Sequence, residues 1–155
     1  MMTTKANMTK NPFTLSVEDT ILDAYKLMRE KSIRHLPVVN DLGKVVGILS
    51  DRDVQRAMNV SQPTPYMQQI RLNPEFKVAE FMSWPVYAVT EDTSLKKVAE
   101  EMLAQKVSAF VVEDPHERLV GIITTDDMLK YFITETNKNQ TLRSLSQYFT
   151  GPELY

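Results

Sequence analysis

The chain of 155 residues contains no cysteine, which excludes disulfides, thiol nucleophiles and zinc sites built on thiolates. Histidine is nearly absent. His35 and His116 are the only two, and they fall at unrelated places in the repeat described below, so a histidine metal site is not expected. There are 4 glycines and no glycine-rich phosphate loop. No apolar run approaches the ~20 residues that a membrane span needs, and residues 1–10 are polar, without the apolar centre of a signal peptide. The formal net charge is −2, with no long run of one sign, which argues against a general nucleic-acid binder. A cytoplasmic location is the expectation that remains. No nucleophile–base pair or close carboxylate pair can be read, so an enzyme is the least favoured class.

What is present is ordinary globular composition, 43% hydrophobic and 25% charged, enough for one domain or for two small repeats sharing a core. One short stretch occurs twice: Gly47-Ile48-Leu49-Ser50-Asp51-Arg52-Asp53 and Gly121-Ile122-Ile123-Thr124-Thr125-Asp126-Asp127. Each follows an apolar, β-branched run too short for a typical helix and therefore read as a strand. Ser50 and Thr124 then stand at a helix N-cap, with Asp53 and Asp127 three residues on, the spacing of a capping box. The same geometry serves a ligand. Free N–H groups and the positive end of the helix dipole attract a phosphate, while a hydroxyl and a carboxylate can hold a diol such as ribose. The two readings are compatible.

The repeat extends well beyond this stretch. From Met8 the chain can be laid on itself at an offset of 74 residues, without a gap through Val54 and Met128. Identities are few (Met8/Met82, Met28/Met102, Val38/Val112, Gly47/Gly121, Asp53/Asp127), but character is kept at Phe13/Tyr87, Thr20/Ser94, Ile21/Leu95, Ile33/Val107 and Ser50/Thr124. This is an internal duplication of a β-α-β-β-α unit. The expected organisation is a disordered lead (1–7), a first repeat (8–58), a linker rich in Pro, Gln and Asn (59–75), a second repeat (76–134) and a tail (135–155). In the tail, Leu142, Leu145 and Phe149 lie at helical spacing. That short helix covers either its own subunit or a partner.

Two such units, each ending in Gly-hydrophobic-hydrophobic-Ser/Thr-x-x-Asp and joined by Met8-Thr9, Met82-Ser83 and Ile33-Arg34-His35-Leu36-Pro37-Val38, resemble a tandem pair of CBS domains, a free-standing Bateman module. The resemblance covers residues 8–132. It implies an α+β fold with the repeats packed about a pseudo-twofold axis, and clefts between them that bind adenine nucleotides (AMP, ADP, ATP) or related adenosyl ligands for regulation, with no catalytic cofactor. By the same resemblance Asp53 and Asp127 accept the ribose diol, with Ser50 and Thr124 beside them. Thr9, Thr14, Ser83 and Ala88 line the adenine side, and Ile33 and Val107 sandwich the base. Arg34, His35 and Arg52 meet phosphate, whereas Ser108 and Ala109 replace Arg34 and His35 in the second unit and Asp126 replaces Arg52. One cleft is expected to combine Asp127 with Thr14, Arg34 and His35. The other combines Asp53 and Arg52 with Ala88, Val107, Ser108 and Ala109.

The implied class is a non-enzymatic sensor; the alternative is an interaction or scaffold module, with a regulated protein partner, whose clefts are vestigial. A homodimer is expected through helix faces carrying Tyr25, Leu27, Met28, Val98, Met102 and Leu103.

Overall fold

A computed structural model describes residues 2–60 and 72–149. Element order is α1 (Thr4–Asn7), β1 (Thr9–Lys10), β2 (Leu15–Ser16), α2 (Ile21–Lys31), β3 (His35–Val39), β4 (Val45–Ser50) and α3 (Asp51–Val60). The second half continues with α4 (Val78–Phe81), β5 (Ala88–Thr90), α5 (Leu95–Gln105), β6 (Ala109–Glu113), β7 (Leu119–Thr124) and α6 (Thr125–Phe149). The duplicated β-α-β-β-α unit is thus β2-α2-β3-β4-α3 and then β5-α5-β6-β7-α6, in a mixed α+β fold.

The repeats match in their local physics as well as in element order. Thr20 caps α2, its hydroxyl accepting from the Asp23 N–H, and Asp23 answers by accepting from the Thr20 N–H. The Thr20 hydroxyl, followed by that N–H, holds the Asp23 carboxyl below its usual range. Ser94 caps α5 by accepting from the Lys97 N–H. Both helices end on a left-handed residue that is not glycine, Ser32 (φ 53) and Lys106 (φ 55). The strained turns are held by the Ile33 and Val107 N–H groups, which donate to Met28 and Met102 carbonyls at 3.0 and 3.1 Å. Ile21, Ala24 and Met28 are the buried face of α2; Leu95, Val98 and Met102 are that of α5. Each helix closes its own core, one with Leu36, Val38 and Leu49, the other with Phe110, Val112 and Ile123.

The sheets are β2-β3-β4 and β1-β7-β6-β5. In each repeat the first strand runs parallel to the second, which is antiparallel to the third. The segment that opens each repeat crosses to the other. Thr9 pairs with Ile122 on β7, and Ser83 pairs with Ile48 on β4 through N–H···O bonds of 2.9 and 3.0 Å. This exchange explains the duplicated glycines. A Cβ on Gly47 would overlap the Met82 sulfur, and one on Gly121 would overlap the Met8 sulfur and lie 3.1 Å from the Thr9 carbonyl oxygen. The methionine that opens each repeat therefore lies over the glycine of the other.

Three expectations need correction. The lead taken as disordered forms α1, with Thr4 fully buried. Thr4 donates its N–H (2.9 Å) and hydroxyl (2.8 Å) to the Thr93 carbonyl, and the Lys5 N–H donates to Glu91, so the start of the chain docks on the second repeat. The tail helix is not separate, because α6 runs unbroken from Thr125 to Phe149. Finally, Met28, Val98 and Met102 are core residues and Tyr25 and Leu27 are half-buried; only Leu103 of that expected interface set is exposed. Among the described side chains of α6, Leu129, Phe132 and Ile133 are large, apolar and exposed, one stripe at helical spacing. Most of the expected linker and residues 150–155 lie outside the described residues, although Asn59 and Val60 end α3.

Candidate functional site

The two Ser/Thr-x-x-Asp stretches are capping boxes in fact. The Asp53 Oδ2 accepts the Ser50 N–H at 2.8 Å and its hydroxyl at 2.7 Å, while the Asp53 N–H reaches back to the Ser50 oxygen at 3.3 Å. Asp127 repeats this with Thr124 at 2.8, 2.8 and 3.4 Å. In both boxes the cap uses Oδ2. The second oxygen, Oδ1, faces a cation one turn on: Arg56 at 3.3 Å from Asp53, and Lys130 at 3.7 Å from Asp127. One oxygen of each carboxylate is thus committed to the helix start, and the other remains able to accept a ligand hydroxyl.

The residue that leads into the second strand of each repeat, just before β3 or β6, is tied to the same helix start. The Asp51 N–H donates to the Arg34 carbonyl at 2.9 Å, and the Thr125 N–H to the Ser108 carbonyl at 3.0 Å. Across the repeats, Arg34 Nη2 lies 2.6 Å from Asp126 Oδ1, and His35 Nε2 lies 2.8 Å from Ser108 Oγ. Burial, the largest influence on it, pushes the His35 imidazole below its ordinary range against the opposing pull of Asp51. His35 is therefore a neutral hydrogen-bonding group at neutral pH.

A cavity of about 410 Å³ opens between the repeats, lined from the first by Thr9, Phe13, Ile33, Arg34 and His35 and from the second by Ile122, Thr124, Asp126 and Asp127. That volume lies in the ordinary range for small-molecule sites. The residue types are an apolar Ile33, a hydroxyl at Thr9, a carboxylate at a helix start, and basic groups. Of the set expected at the Asp127 cleft, Asp127, Arg34 and His35 line it, while Thr14 does not and is exposed, its neighbour Phe13 taking the wall; Thr9, Ile33 and Thr124, expected as ligand residues without assignment to this cleft, line it too. Ser50, Arg52, Asp53, Ser83, Ala88, Val107, Ser108 and Ala109 do not line this cavity. Among these, Ser83 is held in its bridge to Ile48, Val107 packs on the second core, Ala109 is buried, and Ala88 and Arg52 are exposed.

Lys10, Lys31 and Lys130 also line the cavity and were not read from the sequence. Lys130 had a signal, one helical turn after Asp127; Lys10 and Lys31 had none, since each is placed by the exchange of β1 and by the end of α2. Among the described residues no group of acidic and histidine side chains could hold a metal ion, and no helix is long and apolar enough to cross a membrane.

Known proteins share this architecture. The CBS domain pair of protein MJ0100, solved with 5′-methylthioadenosine and S-adenosyl-L-methionine, superposes with a TM-score of 0.74 at 28% identity, covering 86% of this chain and 97% of that one. A Vibrio cholerae protein assigned to acetoin utilization, AcuB, gives 0.74 at 31% identity, with 91% and 97% covered. L-aspartate semialdehyde sulfurtransferase of Methanocaldococcus jannaschii is 30% identical over 125 residues, 81% of this chain but 22% of that protein; the chain also spans 22% of that organism's inosine-5′-monophosphate dehydrogenase. A CBS domain-containing protein of Dictyostelium discoideum is 28% identical, with 83% of this chain and 90% of its own length covered. The family model for the CBS domain matches residues 6–60 and again residues 78–134, the two halves that exchange their opening segments, and the chain belongs to the CBS domain family as a tandem pair.

Proposed function

We propose that this chain is a non-enzymatic regulatory module that binds an adenosyl ligand in the cavity between its repeats. The observation that carries the reading is that both repeats build the wall: Asp127 and Thr124 from one, Thr9, Ile33, Arg34 and His35 from the other. A ligand there touches both halves, so its binding energy can bias their arrangement, which is what a sensor requires. Asp127 Oδ1 takes the ribose diol, Ile33 packs on the base, and Thr9 offers a hydroxyl to the base edge. The similar MJ0100 pair holds adenosyl compounds, which supports the ligand class. The enzymes that match are several times longer than the matched segment. Calorimetric titration of ligand-free protein with adenosyl compounds tests the reading, and absence of heat or thermal shift with all of them defeats it.

The module is further assigned as a homodimer. Leu129, Phe132 and Ile133 form an exposed apolar stripe on α6 of the kind that marks an interface, and a second copy supplies a matching stripe about a twofold axis.

A further inference from the structure

Resting on the adenosyl reading above, we propose that Asp126 sets the charge class of the ligand: the cavity takes an adenosyl compound whose 5′ substituent carries no net negative charge, such as a thioether or an amino-acid sulfonium, in preference to nucleoside di- and triphosphates. The cations lining the cavity are Lys10, Lys31, Arg34 and Lys130. Arg34 is held at 2.6 Å by Asp126, Lys31 at 2.6 Å by Glu30, and Lys130 faces Asp127 at 3.7 Å. Lys31 also lies over the Phe13 ring. Among the described residues, Lys10 is the one lining cation without an ion-pair partner. His35 is neutral and bonded to Ser108 Oγ at 2.8 Å.

A polyphosphate approaching Arg34 in this cavity meets the Asp126 carboxylate beside it. It must take Arg34 away from Asp126 or place its own charge beside Asp126, and the cavity lies within the ~8 Å over which salt leaves such forces unscreened. A thioether carries no charge to oppose, and a sulfonium is drawn to the carboxylate. The exposed Arg34–Asp126 pair contributes little to folding, and both of its members line the cavity. The duplication puts Ser108 and Arg52 at the equivalent positions, and these two cannot form such a pair. The acid is a feature of this cavity, not of the repeat.

The test measures Kd for 5′-methylthioadenosine and ADP by calorimetry on the whole chain. Wild type binds the thioether more tightly. In Asp126→Asn, whose amide keeps an oxygen for Arg34, affinity for ADP relative to the thioether rises about 10-fold at low salt; in Arg34→Gln the same ratio falls. Tighter binding of ADP by wild type overturns the inference, as does a ratio that stays fixed or moves the same way in both variants, and each leaves the adenosyl reading intact. Failure of both compounds to bind wild type overturns this inference, and the adenosyl reading falls with it only if S-adenosylmethionine, AMP and ATP also fail to bind.

Discussion

Asp127→Asn separates two roles that the capping box superimposes. Both cap bonds, from the Thr124 N–H and its hydroxyl, end on the same atom, Asp127 Oδ2, at 2.8 Å. An asparagine can place its single carbonyl oxygen there and keep both. Its NH₂ group then replaces Oδ1, which faces Lys130 at 3.7 Å and is the oxygen left for the ribose diol. The amide donates where the ligand hydroxyls need an acceptor. Urea denaturation should therefore show a loss below about 0.5 kcal/mol for Asp127→Asn. For Asp127→Ala, which orphans the half-buried Thr124 groups, the loss should be about 1–2 kcal/mol. Binding should behave differently: both variants lose the hydrogen bonds to a charged acceptor, about 1.5–3 kcal/mol, or roughly 10- to 150-fold in Kd. An Asp127→Asn protein as destabilised as Asp127→Ala, or one that binds adenosyl ligands as wild type does, would refute this division of the carboxylate.

Adding a methyl at either duplicated glycine should strain the exchange of opening segments. Gly121→Ala should cost about 1–3 kcal/mol and more than Gly47→Ala, because its Cβ meets the Thr9 backbone as well as a flexible Met8 side chain, whereas at Gly47 only Met82 must give; urea denaturation ranks the two, and the reverse order contradicts the packing. The His35 imidazole should titrate below its ordinary 6.5 because it is buried. Its native form then holds fewer protons than its unfolded form in that window, so this residue's contribution makes stability fall as pH drops below 6.5. An NMR titration midpoint above 6.5 would contradict it. Phe132→Asp with Leu129→Asp should convert a dimer of the chain to ~18 kDa monomers in sedimentation without unfolding, since both side chains are exposed; an unchanged dimer places the interface elsewhere.

The duplication was legible because it preserves capping chemistry and helix faces position by position: Thr20/Ser94, Ile21/Leu95, Met28/Met102 and Ser50/Thr124 occupy matching places in the two halves. The exchange of opening segments was not. Thr9 and Ser83 carry the same signal, and a pattern repeated in both halves cannot say whether a strand pairs within its own repeat or across. Helix α1 has 4 residues, too few for any periodicity, and is held by tertiary bonds to Thr93 and Glu91. The unbroken α6 was obscured by Asn137, Asn139 and Thr141, weak helix formers, although no glycine or proline interrupts the run. The interface set failed because periodicity marks an apolar face without saying what covers it: Met28, Val98 and Met102 face the cores of their own repeats. The departure of Asp126 from the basic residue in the first repeat was visible in the sequence. Its pairing with Arg34 needed the fold.

Adenosyl binding between the repeats on Asp127 underlies the sensor function proposed for this chain. Its most direct test is calorimetric titration of protein stripped of co-purified ligand with 5′-methylthioadenosine, S-adenosylmethionine, AMP, ADP and ATP, each repeated on Asp127→Asn. Saturable binding of at least one compound, weakened about 10-fold or more in the variant while its fold is retained, is the expected result. Wild-type protein that gives neither heat nor thermal shift with any of the five, or binding that Asp127→Asn leaves unchanged, would contradict it.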